Sequence, residues 1–231
     1  MALPAVRQST EQIHRLLRGD ILAAVLRPGE AMSEARMAVR FGVSRTPVRE
    51  AFKRLVEEGF LMVVPQVGTF VAPIDLAAVH DSQFVRETLE CRTVALAARH
   101  ADDAGKAALE QNVRQQERDL ASGDRISFFR HDEAFHAKLA KLAGHPSVWS
   151  LIEGVKAQLD RVRCLSLESA SWPTMILAQH REIMDCVITG NEARAEAAMR
   201  AHLRTVFDAI ETIARDQVDA FAGSATPARL D

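Results

Sequence analysis

The tightest constraint on this fold is a helix end and a helix start placed back to back, Phe41-Gly42-Val43-Ser44-Arg45-Thr46-Pro47. Upstream, Met37, Ala38 and Phe41 form one apolar helical face behind Ser33, a residue able to cap it. Gly42 stands where a left-handed C-cap is needed, and Val43 can pack back onto the helix. Ser44 or Thr46 then caps a second helix. Pro47 falls in its first turn, where a missing N–H costs nothing. Val48, Phe52 and Leu55 give this second helix a buried stripe that ends near Gly59. Such punctuation sets two helices at a sharp angle, as a helix–turn–helix does.

The flanking segments complete the pattern. Ser9-Thr10-Glu11-Gln12 has the form of a capping box, and Ile13, Leu16, Leu17 and Ile21 continue a helix to about Ala24. After the second helix, Phe60–Val64 and Thr69–Val71 are rich in strand formers and flank Pro65-Gln66-Val67-Gly68, which predicts a hairpin. Helix, helix–turn–helix and hairpin in that order predict a winged helix over residues 1–73, with Pro73-Ile74-Asp75 as a hinge. From Asp75 to about Phe221 the local signs are helical. Prolines fall at apparent helix starts (Pro146, Pro173), and glycines at breaks (Gly105, Gly123, Gly144, Gly190). Six helices are expected, at about 75–100, 104–122, 125–143, 146–168, 172–189 and 192–221. The expected class is mainly α: a winged helix–turn–helix, a helical bundle over 74–222, and a flexible tail over 223–231.

Composition excludes more than it selects. No window approaches the roughly 18 apolar residues of a membrane span, and no leader-like run opens the chain, so a cytoplasmic protein is expected. Cys91, Cys164 and Cys186 are odd in number and lack metal-type spacing, as reduced thiols would be. Net charge is −2, but residues 1–73 hold ten Lys and Arg against seven Asp and Glu, so the surplus of acid lies in the remainder. A basic end on an acidic body fits one DNA-facing end.

In a helix–turn–helix the second helix enters the major groove and its first residues meet the bases. Arg45 and Arg49 share one face of that helix, opposite the apolar stripe, and an arginine fork suits guanine and phosphate alike. The Ser44 and Thr46 hydroxyls and the open N–H groups of the helix start suit phosphate. Gly68 at the hairpin tip, with Gln66 in the same turn, lets the backbone approach a minor groove. On periodicity alone the arginines could equally be ordinary surface residues. The wording from Glu34 to Leu55, above all Gly-Val-Ser-Arg-Thr-Pro-Val-Arg-Glu-Ala at 42–51, with Leu26–Glu30 before it and Glu57-Glu58-Gly59 and Pro65-x-x-Gly68 after it, resembles the GntR family of bacterial regulators. The resemblance implies that Arg45, Arg49 and the wing tip contact DNA. Ala35 and Val67 stand where many such proteins carry arginine, so base preference is expected to differ.

In the helical region, Asp132 and His136 lie at i, i+4 on one helix face. His180 and His202 each lie about 15–17 Å from the Gly190-Asn191 break, so an antiparallel hairpin brings them level. A carboxylate and three imidazoles suit a divalent ion such as Zn, Ni or Mn. Hydrogen-bonded core histidines would satisfy the same spacing. His14, His80, His100, His131 and His145 are expected to pack locally or face solvent. Phe84-Val85-Arg86-x-x-Leu89-Glu90, Asp132-x-x-Phe135-His136, Gln179-His180-Arg181-x-Ile183 and Met199-x-x-His202-Leu203 resemble the FCD-type ligand domain of the FadR branch. The resemblance implies a metal on Asp132, His136, His180 and His202 that holds a small carboxylate effector, with Arg86 on its negative group. It also implies a homodimeric regulator, more commonly a repressor relieved by effector, on palindromic operator DNA. A metal-dependent hydrolase fused to a DNA reader would need a general base, and Glu133 points about 100° away from Asp132. The expectation is therefore no enzyme. An architectural DNA binder would hold no metal at all.

Overall fold

The computed structural model describes residues 9–169, 171–216 and 220–221. The chain divides into two compact units, one running to Leu76 and rejoined from Ile213, the other Ala77–Thr212.

The first unit holds α1 (Thr10–Leu22), β1 (Ala31–Met32), α2 (Glu34–Phe41), α3 (Arg45–Glu57), β2 (Leu61–Val64) and β3 (Gly68–Val71). The Ser9/Gln12 capping box is formed in both directions. Gly42 ends α2 at φ 64°, a conformation that favours glycine, and the Val43 N–H then reaches back to the Ala38 carbonyl at 3.0 Å. Ile13, Leu17, Val48, Phe52, Leu55 and Phe60 interlock as the core. The expected two-strand hairpin is a three-stranded antiparallel sheet in the order β1-β3-β2, with Ala31 opposite Phe70 and Leu61 opposite Val71. Two residues are too few to show strand alternation, which is why β1 was invisible in the sequence. At the wing tip the Val67 N–H donates to the Val64 carbonyl at 3.1 Å across Pro65 and Gln66. Gln66 takes φ 63° there, as the third residue of a type II turn does. Ile74 pairs with Phe221, and its N–H donates to the Ala220 carbonyl at 2.8 Å.

The second unit is built from α4 (Leu76–His100), α5 (Asp103–Ser122), α6 (Arg125–Leu142), α7 (Ser147–Glu153), α8 (Ala157–Ser166), α9 (Trp172–Ile188) and α10 (Glu192–Asp216). Its core joins Val94, Leu109, Val113, Phe135, Leu139, Ile183 and Met199 from five of these helices. Two expectations need correction. The single helix over 146–168 is two helices, so seven replace six. At the break the Ser82 hydroxyl donates to the Val155 carbonyl at 2.6 Å, and Lys156 turns inward onto Asp160 at 2.7 Å. Those bonds compensate the helical ones lost around Gly154. The last helix is described as far as Asp216, and Phe221, expected at its end, instead pairs with Ile74. The expected tail over 223–231 lies outside the described residues. Among the described residues no helix is long and apolar enough to cross a membrane. The three cysteines are free thiols, and Cys91 and Cys186 are buried.

Leu55, on the apolar face of α3, is fully buried. Leu55→Ala is expected to cost about 2–5 kcal/mol, read as a lower denaturation midpoint by circular dichroism. A change under 1 kcal/mol would mean that α3 is not held by this core.

Candidate functional site

Two surfaces carry chemistry. On the first unit, Ser44 is the N-cap of α3, yet its hydroxyl makes no capping bond. The hydroxyl and the open N–H groups of the first turn are thus available to an anion. Ser44, Arg45, Thr46 and Arg49 are all exposed. Arg45 has no ion-pair partner among the described residues. Arg49 differs: its Nε and Nη2 grip the Glu34 carboxylate at 3.1–3.2 Å, and this pair raises its pKa. Glu34 fixes the direction of that guanidinium from the neighbouring helix. Gln66 and Gly68 are exposed at the wing tip, as expected. The six residues named from the sequence therefore fall on α3's first turns and on the wing.

In the second unit, α6 presents Asp132 and His136, α9 presents His180 and α10 presents His202, all buried. The His202 Nε2 lies 3.3 Å from that of His136 and 3.4 Å from that of His180. The helical-hairpin arithmetic thus brings His180 and His202 level. Asp132 stands beside the trio, with Oδ1 3.7 Å from His180 Nε2 and Oδ2 4.0 Å from His136 Nε2. Aromatic rings wall the cluster: Phe135 stacks on His180 at 4.3 Å, and Trp149 stacks on His136 at 5.9 Å.

Each imidazole has a polar neighbour at its other nitrogen. His136 Nδ1 lies 2.5 Å from Glu90 Oε2, His180 Nδ1 lies 2.7 Å from Gln116 Oε1, and His202 Nδ1 lies 2.9 Å from Gln179 Oε1. Gln116 is itself oriented, because its amide nitrogen donates to Asn112 at 2.8 Å. The glutamine acceptors place the proton on Nδ1 of His180 and His202 and leave their Nε2 with a bare lone pair, whereas His136 Nδ1 and Glu90 Oε2, though 2.5 Å apart, are not aligned as a hydrogen bond. Burial pushes the His180 imidazole down to about 3 against the pull of Asp132. Burial, reinforced by the neighbouring His180, also pushes His202 well below its usual value. Near pH 7 these two rings are neutral. Burial alone would raise the carboxyls of Glu90 and Asp132, but the guanidinium charges beside them win: Arg86 holds Glu90 down, and Arg163 holds Asp132 down.

Lone pairs brought this close repel unless a cation lies among them. Nitrogens bound at about 2.1 Å to one ion stand about 3.0–3.4 Å apart when adjacent, which the observed spacings match. The trio is therefore a group able to hold a metal. The donor set is borderline-soft nitrogen with one hard oxygen in reach, so it fits Zn, Ni or Mn.

Several functional side chains escaped the sequence reading. Arg163 on α8 bonds Asp132 and Glu133 and lies 3.2 Å from Asp160. Lys156 completes this buried network with Glu133 and Asp160. Glu133 is thus an ion-pair partner here, not a base facing the histidines. Arg86 is buried with its Nε 2.6 Å from Glu90 and its Nη2 3.4 Å from His136 Nε2. A cavity of about 30 Å³ lies against Arg86, Asp132, Arg163, Trp172 and His202. Of the remaining histidines, His131 pairs with Asp119 at 2.5 Å, His14 with Glu58 at 2.7 Å, and His80 stacks on Phe207. None of these three joins the cluster.

A winged helix with open N–H groups and arginines at the start of its second helix is the architecture of a DNA-binding regulator. The comparisons give the family. Residues 9–71 match the bacterial regulatory proteins of the gntR family, and residues 81–205 match the FCD domain. The chain belongs to the GntR family, in the group whose second domain is FCD. It is 42% identical over 226 residues to an uncharacterized HTH-type transcriptional regulator from an unstable DNA locus of Streptomyces ambofaciens, covering 97% of this chain and 94% of that protein. It is 36% identical to the HTH-type transcriptional repressor RspR of Escherichia coli (strain K12), covering 92% and 93%. A GntR transcriptional regulator from Rhodococcus sp. RHA1 shares the fold at a TM-score of 0.73 and 23% identity, over 87% and 97% of the two chains.

Glu90 carries two buried partners, Arg86 and His136. Glu90→Ala leaves Arg86 buried without its carboxylate, and is expected to cost about 3–5 kcal/mol in chemical denaturation. A loss below 1 kcal/mol would show that Glu90 does not neutralise the arginine.

Proposed function

We propose that this regulator reads operator DNA through α3 and the wing, and that a small carboxylate bound at a metal centre in the FCD domain modulates that reading. Arg45 and Arg49 meet base edges or phosphates, Ser44 and Thr46 meet phosphate, and Gln66 and Gly68 approach the minor groove. Asp132, His136, His180 and His202 hold the divalent ion, and Arg86 receives the effector's negative group. The ion supplies a Lewis-acid anchor for that anion. The protein's own residues orient the imidazoles and exclude bulk water. The observation that carries the reading is the approach of His202 Nε2 to those of His136 and His180 at 3.3 and 3.4 Å, with His180 and His202 pinned at Nδ1 by glutamine oxygens.

The protein acts in the cytoplasm as a homodimer on a palindromic site, one recognition helix per half-site. Repression is the favoured polarity, since the E. coli relative is named a repressor. The effector acts by binding one arrangement of the dimer better than another, so that it shifts the DNA-competent population.

Two measurements test these roles separately. Arg45→Ala is expected to weaken operator binding by about 5–150-fold in a mobility shift while zinc content stays normal. Unchanged DNA affinity would remove Arg45 from the interface. His202→Ala is expected to abolish stoichiometric zinc uptake, measured by competition with a chromogenic chelator. It should also abolish the stabilisation by zinc in a thermal melt. Wild-type uptake in this variant would exclude the histidine trio as the metal centre.

A further inference from the structure

The two outward arginines of α3 differ in what holds them. Arg45 has no ion-pair partner among the described residues, so its whole charge is open to a phosphate. Arg49 is gripped by Glu34: its Nε lies 3.2 Å from each carboxylate oxygen, and its Nη2 lies 3.1 Å from Oε2. Glu34 is the first residue of α2, behind the Ser33 cap, where the positive end of the helix suits a carboxylate. The anchor therefore stands on a fixed element.

This grip has a geometric consequence and an electrostatic one. A guanidinium carries five N–H donors in one plane. Glu34 takes the side edge, made of Nε and one hydrogen of Nη2. The end edge stays open, and there Nη1 and Nη2 each present a hydrogen in parallel. Such a fork fits O6 and N7 of one guanine. Electrostatically, the pair is close to neutral as a unit, and Glu50 adds a second carboxylate to the field at Arg49. A phosphate approaching Arg49 meets that negative charge, whereas a base edge carries only partial charges. An exposed ion pair also contributes little to stability, so folding does not account for it.

We infer that Glu34 is a specificity-determining residue acting through Arg49: it turns the open end of the guanidinium outward and offsets its charge, so that Arg49 reads a base pair while Arg45 supplies attraction to the backbone. The inference rests on the DNA reading through α3 proposed above, and it separates the roles of two arginines left equivalent there. It also gives Glu34 a part that charge alone opposes, because a carboxylate on a DNA-facing surface weakens binding to every sequence.

The test uses the full chain as wild type, Glu34→Gln, Arg49→Ala, Arg49→Lys and the Glu34→Gln/Arg49→Ala double variant. Each selects from a library of randomised DNA duplexes, and the bound sequences are read. Affinities for the wild-type consensus duplex and for a scrambled duplex follow by fluorescence anisotropy at several salt concentrations. Glu34→Gln is expected to lose the base preference that Arg49→Ala loses, and the double variant to lose no more. The ratio of consensus to scrambled affinity should fall about fivefold or more in Glu34→Gln, the size of one bidentate base contact. Its salt dependence should steepen by about one phosphate contact, as the freed guanidinium turns to the backbone. Arg49→Lys keeps the charge but not the fork, and should lose the same preference. Equal gains for both duplexes in Glu34→Gln, with the wild-type preference kept, would show a mere surface charge and overturn the inference. An unchanged preference in Arg49→Lys overturns it too, since a point charge suffices for phosphate. Both outcomes leave DNA reading by α3 standing. Wild-type protein that enriches no sequence overturns that reading and this inference together. Should Glu34→Gln fail to fold, the Arg49→Lys selection still decides.

Discussion

The second unit is organised around one electrostatic problem, three buried imidazoles crowded together, with His202 Nε2 3.3 Å from that of His136 and 3.4 Å from that of His180. Neutral rings in that arrangement repel, and any ring would relieve the contact by flipping to present its N–H. The glutamine acceptors on Nδ1 of His180 and His202 prevent the flip there. Gln116 comes from α5 and Gln179 from α9, with Glu90 from α4 beside His136, so three helices are committed to the cluster. Buried polar faces on α4 and α5 follow from this duty. Gln83, Arg86 and Glu90 lie along one side of α4, and Asn112 and Gln116 along one side of α5, where a purely structural bundle would place aliphatic residues.

The cost of such a face is desolvation, and the structure meets it by pairing rather than by exposure. Arg86 bonds Glu90, Lys156 bonds Glu133 and Asp160, and Arg163 touches Asp132, Glu133 and Asp160. Replacing a network of this kind by aliphatic residues often leaves stability unchanged or improved, so stability alone does not account for it. A cluster that packs against three histidines able to hold a metal, and leaves two guanidinium groups on a cavity, has a functional account under the proposed reading. It also explains why α7 and α8 are separate helices. The turn at Gly154-Val155-Lys156 starts α8 with a new phase, and that phase directs Lys156, Asp160 and Arg163 at α6.

This phase change separates what the sequence disclosed from what it hid. The winged helix was legible because each boundary carries its own marker: the Ser9 box, Gly42 in the left-handed region, Pro47, and the Pro65-Gln66 turn. The buried histidine cluster was legible because Asp132 and His136 share a helix face, and because His180 and His202 sit at equal distances from one tight turn. Arg163 was not legible. A single helix drawn from 146 to 168 assigns it the wrong face, and no short-range pattern marks a break held by a Ser82–Val155 bond across 73 residues. The Nδ1 partners left a fainter trace. Arg86/Glu90 and Asn112/Gln116 are i, i+4 polar pairs on otherwise buried faces, which a search for unexplained polar pairs would have flagged.

The charge balance of the cluster bears on the kind of ligand it suits. Arg86, Lys156 and Arg163 face Glu90, Asp132, Glu133 and Asp160, so with neutral histidines the group carries one net negative charge when all four carboxyls are ionised. Burial, with Glu133 beside it, raises the pKa of Asp160, and protonation there would bring the group to neutrality. In both protonation states a divalent cation leaves the buried site with net positive charge, which is costly away from water. An anion offsets it, and a neutral ligand of equal size does not. On the proposed metal-bound reading, the ion-pair network would favour a negatively charged ligand, and Phe128, Phe129, Leu167 and Trp172 on the cavity wall would limit its size.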